Sequence, residues 1–231
     1  IRAWKKVIQM YVLENTDFLI RMMPEIEFVT KATELLVKLK NKGCNLVSPV
    51  IAPMAEKKFT AKALCNPIVA SKLDTPVIPN DFSFDDDGMI YVLTGPNRGG
   101  KSVITCAVGI AFVMAQLGLP VCADECVISP CDQIFTHFPT GSEDTIDKGR
   151  LGEECSRLGA IFEEVTEDSL VLLDESLSST GSFEGAYIAS EVLQGFSMVR
   201  CRGIFSTHLH DLAASVDEIN AAWVPKGGVK I

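Results

Sequence analysis

"YVLTGPNRGGKSV", Tyr91 to Val103, is the stretch that decides the fold. Met89–Thr94 is an apolar run of the kind that a buried strand needs. Gly95-Pro-Asn-Arg-Gly-Gly100-Lys101-Ser102 then satisfies G-x-x-x-x-G-K-[ST] in full, and a long apolar helical pattern, Lys101–Leu117, follows at once. Glycines let such a turn wrap closely, so that backbone N–H groups face phosphates and the helix N-terminus adds its partial positive charge. Lys101 can then span the β- and γ-phosphates, and Ser102 can offer its hydroxyl to Mg²⁺. The bland alternative, a glycine turn with a solvent-facing lysine, does not call for the flanking strand and helix. The turn is therefore expected to bind a nucleoside triphosphate through Gly95, Pro96, Asn97, Arg98, Gly99, Gly100, Lys101, Ser102 and Val103.

Two further strand ends carry chemistry. Ser169-Leu-Val-Leu-Leu-Asp174-Glu175 is an apolar strand that delivers adjacent carboxylates at its C-terminal end. In proteins with a phosphate loop the strand-end Asp supports magnesium, and a following Glu can act as general base on the attacking water. Neighbouring carboxylates repel, so the pair implies a metal or unequal environments; a strand running into a solvated acidic turn is the plain alternative. Gly203-Ile-Phe-Ser-Thr207-His208 is the second strand end. His208 there can sense the γ-phosphate. Metal binding by His208, His210 and Asp211 is a competing reading, and a helix cap by Thr207 beside an unremarkable histidine is a third.

Composition bounds the partners. The chain has 231 residues, is 47% apolar and carries a net charge of −9. That charge argues against a polyanion as the direct partner of this piece as a whole. No run of about 18 apolar residues is present, so no membrane span is expected. The chain opens IRAWKKVIQM with a helical pattern already under way and neither initiator Met nor signal peptide, which suggests a segment of something longer. Eight cysteines scattered through apolar segments suit reduced thiols in a cytoplasmic core. Cys122, Cys126 and Cys131 lack the close pairing of zinc ligands and read as core.

Residues 1 to about 43 read as helix in two segments, with Pro24 in the first turn of the second and Gly43 just past its end. Asn45 to Pro79 reads as short extended pieces punctuated by prolines. Beyond it, strands at Glu125–Ile128, Ile134–Phe138, Leu170–Leu173 and Ile204–Ser206 alternate with helices at Leu151–Val165 and Glu184–Val199. Asp85-Asp-Asp87-Gly88 reads as a turn between two strands. The expectation is an α/β fold with a mostly parallel sheet flanked by helices.

TGPNRGGKS, SLVLLDES and FSTHLHDLA together resemble the ATPase domain of the MutS family of DNA mismatch repair proteins, which belongs to the ABC ATPase class. Pro96-Asn97 is typical of MutS rather than of transporters. Asn66-Pro-Ile-Val69, Val77-Ile-Pro-Asn-Asp81 and Asp132-Gln-Ile-Phe-Thr136 resemble its flanking segments. The resemblance implies a P-loop NTPase fold of ABC type over residues 46–231, its C-terminal part incomplete, with 1–45 as a helical lever. It implies that Lys101, Glu175 and His208 are catalytic, that Ser102 and Asp174 hold Mg²⁺, and that Val77 and Ile78 lie near the adenine. Homodimerisation through this domain and DNA contact by domains outside it are implied as well. Two segments depart from the family. Gly149 and Arg150, with Gly152 beyond, stand where a Ser-Thr pair usually reaches the partner's γ-phosphate, and Ser176-Leu-Ser-Ser-Thr180 replaces a segment rich in glycine and arginine. The chain thus resembles a divergent branch. The expected function is an ATPase coupling dimer closure to DNA binding elsewhere; a nucleotide-dependent dimer scaffold with little turnover, or another ABC-class ATPase, is the alternative.

Overall fold

The computed structural model describes residues 2–84, 88–96, 98–138, 149–177, 181–209, 212, 216, 219, 220 and 228–230. The parallel-sheet expectation is met by five strands in the order β6-β7-β8-β4-β9, namely Ile134–His137, Leu170–Asp174, Arg202–Ser206, Gly88–Leu93 and Gly228–Lys230. Every pairing among them is parallel. The register sets Leu93 beside Ser206 and Ser206 beside Asp174. Three strand ends thus lie in one row.

Alternation along these strands explains how both faces are buried. Val171, Leu173, Ile90, Val92 and Phe205 face α5 (Ser182–Val199) and the helix before β7, α4 (Gly149–Glu164). Leu170, Leu172 and Ile204 face α3 (Lys101–Gln116) on the opposite side. Strands buried on both faces read as continuous apolar runs, which is why Leu170–Leu173 carries no polar residue.

A second sheet, ordered β1-β5-β2-β3, covers the far side of α3. Its strands are Val50–Ile51 (β1), Phe59–Leu64 (β2), Asn80–Phe84 (β3) and Glu125–Ile128 (β5); β2 runs antiparallel to both of its neighbours. Phe59 stacks on Phe112 of α3 with ring centroids 5.0 Å apart. The guanidinium of Arg202 lies 4.9 Å from the Phe112 ring centroid on a side chain wholly withdrawn from solvent. That buried cation donates from Nη1 to the Ser129 carbonyl at 2.9 Å and from Nη2 to the Pro130 carbonyl at 2.8 Å, while its Nε has no hydrogen-bond partner among the described residues.

Two helical expectations need correction. The N-terminal helix, α1, is one element, Arg2–Asn41, with Pro24 in its interior rather than at a new start. Proline costs one main-chain bond and crowds the preceding turn, yet α1 continues past it. Gly43 does end α1, at φ +84°. The second correction is α2, Pro67–Lys72, within the stretch read as extended pieces. Asn66 caps it, accepting from Ile68 and Val69 N–H at 3.0 and 3.2 Å, and Pro67 fills the first helical position. The Asp85–Asp87 turn lies outside the described residues.

Because Phe112 joins both sheets and the Arg202 cation, Phe112→Ala is expected to lower the unfolding free energy by about 3–5 kcal/mol, read from urea denaturation. A loss within the roughly 0.5 kcal/mol typical of surface positions would show that the two layers do not depend on this ring.

Candidate functional site

The site is built where β4, β8 and β7 end. After β4 the chain turns through Gly95 and Gly100, at φ +143° and +88°, backbone that side-chain-bearing residues rarely adopt. Gly100 is the N-cap of α3, and a Cβ on Gly99 would come within 2.9 Å of the Pro96 carbonyl oxygen. Glycine is therefore required at 99 by space and at 95 and 100 by dihedral angle. Lys101 Nζ folds back over this turn, donating to the carbonyls of Gly95 and Pro96 at 2.8 and 3.1 Å. Asn97 lies outside the described residues, and Arg98 adopts φ +67°.

Asp174 is the centre of the site. It is 6% exposed, and its Oδ1 accepts from Ser102 Oγ at 2.9 Å and from Ser206 Oγ at 2.7 Å. One carboxylate oxygen thus ties the first turn of α3, the end of β7 and the end of β8. Thr105 Oγ1, within 3.1 Å of Ser206 Oγ, extends the network one turn along α3. Buried carboxylates persist when hydrogen-bonded, and these hydroxyls meet that need. Ser206 and Thr105 escaped sequence reasoning. Their only signals were a serine two residues before His208 and a threonine four after Lys101.

Glu175 follows directly, in left-handed backbone at φ +47°, its N–H donating to Ser206 O at 2.8 Å. Left-handed backbone is uncommon for residues other than glycine and clusters at functional sites. The turn is held from α4 as well: Glu154 Oε2 accepts from Leu177 N–H at 2.8 Å, with Leu177 also at positive φ. Beyond β8, Thr207 N–H donates to Leu93 O at 2.9 Å, and His208 is exposed. Thr207 Oγ1 accepts from Leu209 N–H at 3.0 Å, the type of local bond that the capping alternative invokes. His210 and Asp211, needed for the metal alternative, lie outside the described residues.

The remaining expected residues are not all gathered here. Val77 packs against the buried cluster of Leu39, Cys65, Ala70 and Cys122, whereas Ile78 is 82% exposed. Gly149 opens α4 at φ +67°, and Gly152 is exposed on the same turn; the Arg150 side chain is outside the described residues. Cys122, Cys126 and Cys131 are buried as expected of core thiols, and no metal-binding cluster of His, Cys, Asp or Glu occurs among the described residues.

One buried pair was not anticipated. His137, at the end of β6 and 3% exposed, places Nδ1 2.6 Å from the Oγ of Ser176, the residue after Glu175. Among the described residues its Nε2 has no hydrogen-bond partner. Burial, reinforced by the positive charge of Arg157, lowers the imidazole from 6.5 to about 4.

An all-parallel sheet with helices on both faces, and a glycine turn beside two polar strand ends, defines a mixed α/β domain. The family model for MutS domain V matches residues 91–224, from β4 past the end of β8. The DNA mismatch repair protein MutS of Prochlorococcus marinus (strain MIT 9312) is 34% identical over 174 residues, covering 73% of this chain and 19% of that protein. The DNA mismatch repair protein Msh6 of Gallus gallus is 41% identical over 145 residues, covering 58% of this chain and 11% of its own length. The chain belongs to the MutS family and spans about a fifth or less of these relatives. Among the described residues no helix is long and apolar enough to cross a membrane.

The His137 pair sets a pH dependence. A folded value near 4 lies below the 6.5 of an unfolded histidine, so the unfolded state binds the extra proton between them. Stability from the neutral ring is complete above about 6.5 and is lost as pH falls toward 4. The unfolding free energy should drop by on the order of 2–3 kcal/mol across that window more in wild type than in His137→Gln. Parallel pH profiles of the two proteins in urea denaturation would remove His137 as the cause.

Proposed function

We propose that this chain is a Mg²⁺-dependent ATPase domain of the P-loop, ABC type, which uses nucleotide to control closure of a dimer and, through it, DNA binding by other parts of a mismatch-repair-like protein. The observation that carries the reading is the Ser102–Asp174 hydrogen bond of 2.9 Å beneath the Gly95–Lys101 turn. Those two oxygens suit magnesium, which takes one or two protein ligands and fills its octahedron with water and phosphate oxygens. In this reading Ser102 and Asp174 hold the metal, which would supply charge neutralisation of the β- and γ-phosphates. Lys101 exchanges its bonds with the Gly95 and Pro96 carbonyls for bonds with phosphate oxygens. The backbone from Gly95 through Gly100, with Ser102 and Val103 in the first turn of α3, cradles the phosphates.

Glu175 takes a proton from the attacking water, and its left-handed backbone turns it out of the β7 line to do so. His208, exposed at the end of β8, contacts the γ-phosphate and reports its loss along that strand. Val77 and Ile78 approach the adenine. The start of α4 faces the nucleotide of a second copy: among the described residues nothing lies within 4 Å of where a Cβ on Gly149 would sit, which leaves room for a phosphate at the helix N-terminus. Arg150 supplies the contact in trans that a Ser-Thr pair makes elsewhere in the family.

The test separates binding from chemistry. Glu175→Gln should retain ATP binding while turnover falls roughly 10²-fold or more, and Lys101→Ala should weaken binding itself. Turnover equal to wild type in Glu175→Gln would take the general-base role away from Glu175. Mixing Arg150→Ala with Lys101→Ala subunits in a dimerising form leaves one intact composite site, so activity should exceed that of either variant alone. Full activity in the Arg150→Ala homodimer would exclude the trans arginine.

A further inference from the structure

Three cysteines from separate segments meet where α1 ends. Cys44 follows the last turn of α1, its N–H donating to Leu39 O at 3.1 Å; Cys65 follows β2, and its N–H donates to Cys122 O at 2.8 Å. Paired main-chain bonds of 2.9 and 2.8 Å between Val47 and Val121 close the other side. The backbone thereby fixes the main chains that carry the three thiols relative to one another. Cys44 Sγ and Cys65 Sγ lie 3.9 Å apart, and a disulfide needs about 2.05 Å, a difference within reach of side-chain rotation.

The thiols differ in access. Cys65 and Cys122 are 9% and 1% exposed, and burial pushes them up to about 11 and about 12. Neither supplies much thiolate near neutral pH. Cys44 is only half-buried and lines an open groove with Lys40, Gly43, Asn45, Ala123 and Asp124. A small oxidant reaches Cys44 first.

We propose that Cys44 and Cys65 form a peroxide-sensitive dithiol pair whose oxidation crosslinks the end of α1 to the corner between β2 and α2. The Cys44 thiolate attacks the O–O bond of hydrogen peroxide and keeps one oxygen as a sulfenic acid. The other oxygen leaves as hydroxide and takes up a proton to become water. The Cys65 sulfur then displaces the sulfenic hydroxyl, giving its thiol proton to the departing group, and a second water leaves as the S–S bond forms. The two thiols together lose two electrons, and peroxide accepts both.

The crosslink would stand beside a strut to the glycine turn. Asn66, the next residue and 4% exposed, donates Nδ2 to Val103 O at 2.9 Å in the first turn of α3. Oxidation thus fixes the end of α1 to the same corner that braces the helix beginning at Lys101.

The experiment treats the full chain with hydrogen peroxide in native buffer, quenches, denatures, alkylates free thiols and maps the peptides by mass spectrometry. The expected product is a peptide pair joined through Cys44 and Cys65, two hydrogens lighter than the free peptides and released by dithiothreitol. Exposed Cys155 reports that oxidant was sufficient. Cys44→Ser should abolish the linked pair, and Cys122→Ala should leave it. Complete alkylation of Cys44 and Cys65 under conditions that oxidise Cys155 would overturn the proposal. So would a link running from Cys44 to Cys122.

Discussion

One carboxylate oxygen, Asp174 Oδ1, is the point on which the candidate site depends. It is buried, and the hydroxyls donating to it come from α3 and β8, elements remote in sequence. Leaving such an oxygen without donors costs on the order of 1–3 kcal/mol or more, so the sheet, the helix and the strand ends are held to a single mutual arrangement. The glycine turn inherits its position from that arrangement, because Ser102 is one residue beyond Lys101.

The parallel register makes this possible. β8 lies between β4 and β7, setting Ser206 beside both Leu93 and Asp174. The main chain repeats the link, since Glu175 N–H bonds to Ser206 O and Thr207 N–H to Leu93 O. A displacement of any of these strand ends would be felt by the other two. Under the function we propose, a change at the turn would reach Glu175 and His208 through these bonds. The route is short and made of hydrogen bonds rather than of loose packing.

Local patterns were legible in the sequence because local physics produces them. The apolar runs of β4 and β7 and the glycine turn into α3 depend on neighbours within a few residues, and each was found where it was expected. The capping of α2 was equally local: Asn66-Pro67 carried the signal, overlooked among the surrounding prolines. Strand order was not legible, since the insertion of β8 between β4 and β7 is settled by long-range pairing. For that reason the bond from Ser206 to Asp174, and the one between His137 and Ser176, could not be read from spacing. Pro24 misled because its intrinsic preference for a first turn gave way to continuation of α1. The expectation that Val77 and Ile78 lie near an adenine rests on family resemblance alone, and their unequal burial follows from packing that the local sequence does not encode.

If Asp174 holds a metal shared with the Gly95–Lys101 turn, calorimetric titration of ATP with and without Mg²⁺ will register it. In wild type, Mg²⁺ should tighten ATP binding, and in Asp174→Asn this tightening should be lost while metal-free binding persists, because the turn and Lys101 remain. An equal gain in affinity from Mg²⁺ in both proteins would contradict the account.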